Sequence, residues 1–73
     1  ARNYEVRLTD LDRLPIETID LLALQAAGIV PGDALSAKVF LSGAISRKVT
    51  LKGVGATKGA KAAIEAAGGL VAE

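Results

Sequence analysis

The stretch from Val49 to Glu73, VTLKGVGATKGAKAAIEAAGGLVAE, constrains the fold of this chain more than any other. Glycine pairs bracket a helix-forming run that has strand-forming residues on both sides. Val49 and Leu51 alternate with Thr50 and Lys52, the period of a strand with one buried face. Gly53-Val54-Gly55-Ala56 reads as a flexible joint. Thr57 has the hydroxyl to cap a helix running to about Ala67. Ala60, Ala63, Ile64 and Ala67 form its inner stripe at i, i+3, i+4, i+7 spacing. Gly68-Gly69 stops the helix, and Leu70-Val71-Ala72 is a closing strand. A strand, a helix and a strand in so short a run call for mixed α/β packing.

The preceding residues extend the pattern. Tyr4, Val6 and Leu8 alternate with Glu5 and Arg7, which predicts a half-buried strand over 4–8. Thr9 to Pro15 reads as a polar connection, with Leu11 and Leu14 tucked inward. Thr18 or Asp20 can cap a helix whose inner positions are Leu21, Leu24 and Ala27 or Gly28. Gly28 stops it, and Pro31-Gly32-Asp33 forbids continuation. Ala37 to Ser42 predicts a second strand with Val39 and Leu41 inward, and Gly43 to Lys48 a loop. The short separation from the strand at Val49 implies an antiparallel hairpin. The expected architecture is a small mixed α/β domain of about four short strands and two helices. At 73 residues the chain makes a single domain, 1–73, with a modest core.

Composition excludes most chemistry. There is no cysteine and no histidine, which removes disulfides, thiolate zinc sites and histidine acid–base catalysis together. Asp10 and Asp12 are the only closely spaced carboxylates, and no partner base accompanies them. Solvation in a turn, or a local hydrogen bond to backbone, is the expected role. No enzyme, metal or cofactor is expected. No apolar run approaches the roughly 18 residues of a membrane span, and no signal-peptide pattern opens the chain. The absence of methionine fits a piece of a longer protein.

The formal charge is +1, but it is unevenly placed. Residues 1–36 carry three cations against six acids, and residues 37–73 carry six against two. Such asymmetry suggests a basic face and an anionic partner. Gly53 to Gly59 lies between a strand and a helix, where glycines and unpaired amides allow close approach of a phosphate. Lys58 and Lys61 sit in the first turns of that helix, which disfavours cations unless an anion docks there. Three readings stay open: a tight turn with solvated lysines, a loose imitation of a dinucleotide loop with Glu73 as ribose ligand, and contact with a nucleic-acid backbone. The dinucleotide spacing is loose, and a phosphate loop lacks its Gly-Lys-Ser/Thr, so no small-molecule substrate is expected. Arg47 and Lys48 make a second basic point, and Lys38 and Lys52 are candidates on outer strand faces. Tyr4 and Phe40 are too few to build a base-stacking sheet. Any RNA should therefore be read through phosphates, sugars and shape.

Val49-Thr50-Leu51-Lys52-Gly53, followed by Thr57-Lys58-Gly59-Ala60-Lys61-Ala62-Ala63-Ile64-Glu65-Ala66-Ala67-Gly68-Gly69, closely resembles the C-terminal signature of the L-fifteen family of large-subunit ribosomal proteins. Val6 to Leu11 and Ile19 to Val30 resemble the same family in order and spacing, so the likeness covers nearly the whole chain. The resemblance implies an irregular β-β-α superhelical domain on large-subunit rRNA, with neighbouring ribosomal proteins as further partners. It implies a place in the ribosome, in the cytoplasm or an organelle, and no membrane. Lys58 and Lys61 match the basic positions of the signature helix, and Thr57 its cap. The family's long basic, glycine-rich N-terminal arm has no counterpart in this sequence. The expected contact set is Arg47, Lys48, Lys52, Gly55, Thr57, Lys58, Gly59 and Lys61, clamping an rRNA backbone. The alternative is a protein-interaction module, or an excised or engineered folding domain without RNA binding of its own.

Overall fold

The structure is a computed structural model that describes residues 3–72. Among the described residues there are six strands and three helices, with three strands in succession before the last helix. Strand β1 spans Asn3–Arg7 and leads directly into helix α1, Leu8–Asp12. Strand β2 is Thr18–Ile19, and helix α2 is Leu21–Ala26. Strand β3 is Ser36–Phe40, β4 is Thr50–Lys52 and β5 is Gly55–Ala56. Helix α3, Lys58–Ala66, and strand β6, Leu70–Ala72, complete the order.

The strands form two three-stranded sheets, β1-β3-β5 and β2-β4-β6, and every pairing is parallel. Successive strands fall in alternate sheets, so the chain winds back and forth between the two as an irregular superhelix. The α/β class expected from the sequence holds, with two more strands and one more helix than expected.

The antiparallel hairpin does not form. Strand β3 pairs with β1 and β5, whereas β4 pairs with β2 and β6. The residues between β3 and β4 cross from one sheet to the other instead of reversing direction within one. The supposed polar connection after β1 contains α1, because Leu8 and Leu11 are buried three positions apart. Leu8 thus opens a helix and does not end the strand. The supposed joint before α3 is ordered. Val54 is fully buried, and Gly55 and Ala56 pair with Lys38 and Val39. Leu41 lies beyond the end of β3 and faces solvent, not the core.

Other expectations stand. Val6, Val39, Val49 and Leu51 point inward, while Glu5, Arg7 and Lys52 point out. Of the two candidate caps for α2, Asp20 serves: its carboxylate accepts from the Ala23 amide at 2.8 Å, and Thr18 belongs to β2. In α2, Leu24 is buried and Leu21 half-buried, whereas Ala27 is exposed. In α3, Ala60 and Ile64 are buried, and Ala63 and Ala67 half-buried. Leu8, Leu11, Ile19, Leu24, Leu51 and Ile64 are the largest fully buried side chains, and both sheets feed one continuous core. No described helix is long and apolar enough to cross a membrane.

Candidate nucleic-acid interface

The end of β5 sets the position of α3. The Thr57 amide donates to the Val39 carbonyl at 2.8 Å, which carries the last turn of the sheet into the helix. Thr57 is extended (φ −66°, ψ 162°), and its hydroxyl accepts from the Ala60 amide at 3.3 Å. The Lys61 amide donates to the Thr57 carbonyl at 2.8 Å, the first turn of the helix. Among the described residues, no acceptor meets the amides of Lys58 and Gly59. No acid lies in this first turn. Lys58 and Lys61 are exposed, form no ion pair among the described residues, and are neighbours at i, i+3. Glu65 stands one turn beyond Lys61 without closing an ion pair to it. Unpaired amides, two free cations and the positive end of the helix therefore present one locally positive surface.

Gly55, Thr57, Lys58, Gly59 and Lys61 thus come together at the β5–α3 junction. Gly59 is more than a point of close approach. A Cβ built there would lie 3.1 Å from Leu41 Cδ2, so the glycine seats that leucine against the first turn.

Arg47 and Lys48 lie elsewhere. They precede Val49, whose carbonyl accepts from Leu70 just beyond the C-terminal end of α3. A nine-residue helix, about 13 Å long, therefore separates their neighbourhood from Lys58. Both already have partners in the fold. One Arg47 Nη donates to the Ile16 carbonyl at 2.7 Å, and Lys48 Nζ lies 3.9 Å from Glu17 Oε1. Lys52 ends β4 in the second sheet, exposed and without an ion pair among the described residues. Lys38, on the outer face of β3, is likewise exposed and sits in register with Glu5 and Gly55.

Asp12 has a role the sequence did not disclose. Its carboxylate accepts from the Ser46 amide at 3.0 Å and from the Ser46 hydroxyl at 3.3 Å, a contact between distant segments and not a local turn. The Ser46 amide is the main reason its carboxyl is held below the ordinary carboxylate range. Partial desolvation opposes this, while the Ser46 hydroxyl and the amide and charge of Arg47 add to it. With Arg47 on Ile16 and the Thr50 amide on the Glu17 carbonyl at 2.8 Å, these bonds clasp the loop before β4 to the loop before β2. Nothing in the local sequence around Asp12 signals a partner 34 residues away. The acid invoked for the dinucleotide reading, Glu73, lies outside the described residues.

No pocket opens among the described residues, so a partner here would meet a surface. The family model described as ribosomal proteins 50S-L15, 50S-L18e and 60S-L27A matches residues 5–72 of the chain.

Proposed function

Because the chain belongs to the family of ribosomal proteins 50S-L15, 50S-L18e and 60S-L27A, we propose that it holds large-subunit rRNA through the exposed first turns of α3. The family is structural, so the role is that of a large-subunit constituent and not of an enzyme. The observation that carries the RNA reading is the pair of free cations, Lys58 and Lys61, beside unpaired amides at the start of α3. Such an end is electrostatically unfavourable by itself and favourable once a phosphate occupies it.

In this reading residues 1–73 act as one rRNA-binding unit, with Gly55, Thr57, Lys58, Gly59 and Lys61 at its centre. Lys52 reaches the backbone from the end of β4. Lys48 joins by giving up an exposed ion pair, which is worth little. Arg47 keeps its bond to Ile16 and has further guanidinium donors to offer. The chain works within the ribosome. Neighbouring ribosomal proteins are further partners, and Leu22 and Leu35, the most exposed large apolar side chains, are where they would meet it.

The test is a salt series with fragments of large-subunit rRNA. Affinity should fall steeply with salt, and a Lys58→Ala, Lys61→Ala double variant should flatten the log–log slope by about 2, roughly 1 per lysine. An unchanged slope and affinity in the double variant would remove these lysines from the contact.

A further inference from the structure

We propose that Leu41 is the apolar half of this contact, and that the RNA it takes is an unpaired nucleotide whose base face lies on the leucine while its phosphate meets Lys58. The proposal rests on the rRNA reading of α3 and specifies which form of RNA the surface takes.

Leu41 follows β3 directly and remains 57% exposed. Its side chain nonetheless lies against the first turn of α3. A Cβ at position 59 would approach Leu41 Cδ2 to 3.1 Å and Leu41 Cβ to 3.5 Å, so the leucine rests on the bare backbone of Gly59 and would have to give by a few tenths of an ångström to any larger residue there. On the next turn of backbone, the Thr9 amide donates to the Ser42 carbonyl at 3.2 Å and anchors the segment that carries Leu41. An aliphatic side chain at the surface, adjoining the residue next to a free lysine, combines two kinds of recognition at one place.

The leucine limits what the partner can be. It carries neither charge nor hydrogen-bonding group, so it gains nothing from the phosphates and 2′-hydroxyls that line an A-form duplex groove. It gains from covering an apolar surface, and in RNA the accessible one is the face of a base freed from its stack. Too few aromatics exclude a stacking platform, but a single aliphatic contact does not need one. An acidic protein segment is the competing partner. The absence of any acid in the first turn of α3, with two unpaired lysines and two open amides, favours the denser charge of a nucleic acid.

Leu41→Ala should cost little stability, since so much of the side chain is already in water. Binding is measured for the parent, Leu41→Ala and Lys58→Ala with a single-stranded RNA and with a duplex of matched length, each over a salt series. Leu41→Ala is expected to lower single-strand affinity roughly three- to tenfold with the salt slope unchanged, and to leave duplex affinity unchanged. Lys58→Ala should flatten the slope for both. Gly59→Ala, which shifts the leucine slightly without removing it, should give a loss of the same kind but smaller than that of Leu41→Ala. If the parent binds RNA and Leu41→Ala binds single strands equally well, or loses both forms alike, the leucine contact is wrong and the lysine contact survives. If the parent binds neither RNA form at low salt, the rRNA reading falls together with it.

Discussion

At Gly69 a single methyl group is too much. A Cβ there would collide with the Val49 carbonyl oxygen and crowd Ile64. Gly68 before it takes φ +91°, the left-handed conformation that turns the chain out of α3. The sequence shows the pair as a helix stop, and that much is local. The closeness at Gly69 is not local, because the obstacle is the backbone of a residue twenty positions earlier in the other half of the sheet pairing. Gly28 makes the contrast: it has φ +75° but open space around it. Gly28→Ala should therefore cost about 1 kcal/mol for the left-handed backbone alone. Gly69→Ala should cost about 3 kcal/mol, since rigid backbone and not a flexible side-chain end must move. Urea unfolding of the two variants decides the order, and equal losses would mean that β6 can shift to accommodate the methyl. The candidate contact residues divide in the same way. Thr57, Lys58 and Lys61 were legible from a cap and its spacing, whereas Leu41 was not, because its alternation with Val39 points it inward and only the end of β3 turns it out.

Short elements hide in a sequence when a neighbouring pattern runs through them. The alternation of Tyr4, Val6 and Leu8 passes the true end of β1 without a break, so α1 reads as loop. Strand β5 has two residues, one of them glycine, and its identity comes from pairing with β3 and not from its own propensity. Direction is harder still. Two strands separated by a short loop suggest a hairpin, and only the tie between the two loops reveals that the chain is crossing between sheets. That tie is Asp12 on Ser46, with Arg47 on Ile16. It also explains why Arg47 and Lys48, adjacent in sequence to a strand of the signature, sit away from Lys58. The Asp12 carboxyl is depressed in the folded state relative to its ordinary value of 3.8. Its contribution is thus fully present above about 3.8 and is lost as pH falls through the lower folded value. Stability of the parent should decline over this acid range more steeply than that of Asp12→Asn, measured by urea unfolding at a series of pH values. Identical acid dependence in the two proteins would show that the clasp does not depend on the ionised carboxylate.

Because successive strands alternate between the sheets, no cut in the chain separates one sheet from the other. Each sheet has Val, Ile, Leu or Ala on its inner side, and the two inner sides share one core through Leu8, Leu24, Val54 and Ile64. Outer faces carry Glu5 and Lys38 on one sheet and Thr18, Thr50 and Leu70 on the other, unlike the double cover usual for parallel sheets. One core must hold both. A domain of this size has a total stability of roughly 4–11 kcal/mol, too small for two halves that unfold independently. The single tyrosine, Tyr4, lies in β1 and packs partly against the core, and there is no tryptophan. Its fluorescence therefore reports on the first sheet alone, whereas far-ultraviolet circular dichroism reports on the whole. Leu51, fully buried in β4, belongs to the second sheet. Leu51→Ala should lower stability by about 3 kcal/mol through lost burial and a residual cavity. If the interwound core unfolds as one unit, the Tyr4 signal and the dichroism must shift to lower urea together in this variant and remain coincident. A Tyr4 transition that stayed at the parent midpoint while the dichroism moved would mean that the first sheet stands without the second, and the chain would then be two weakly coupled layers despite its winding.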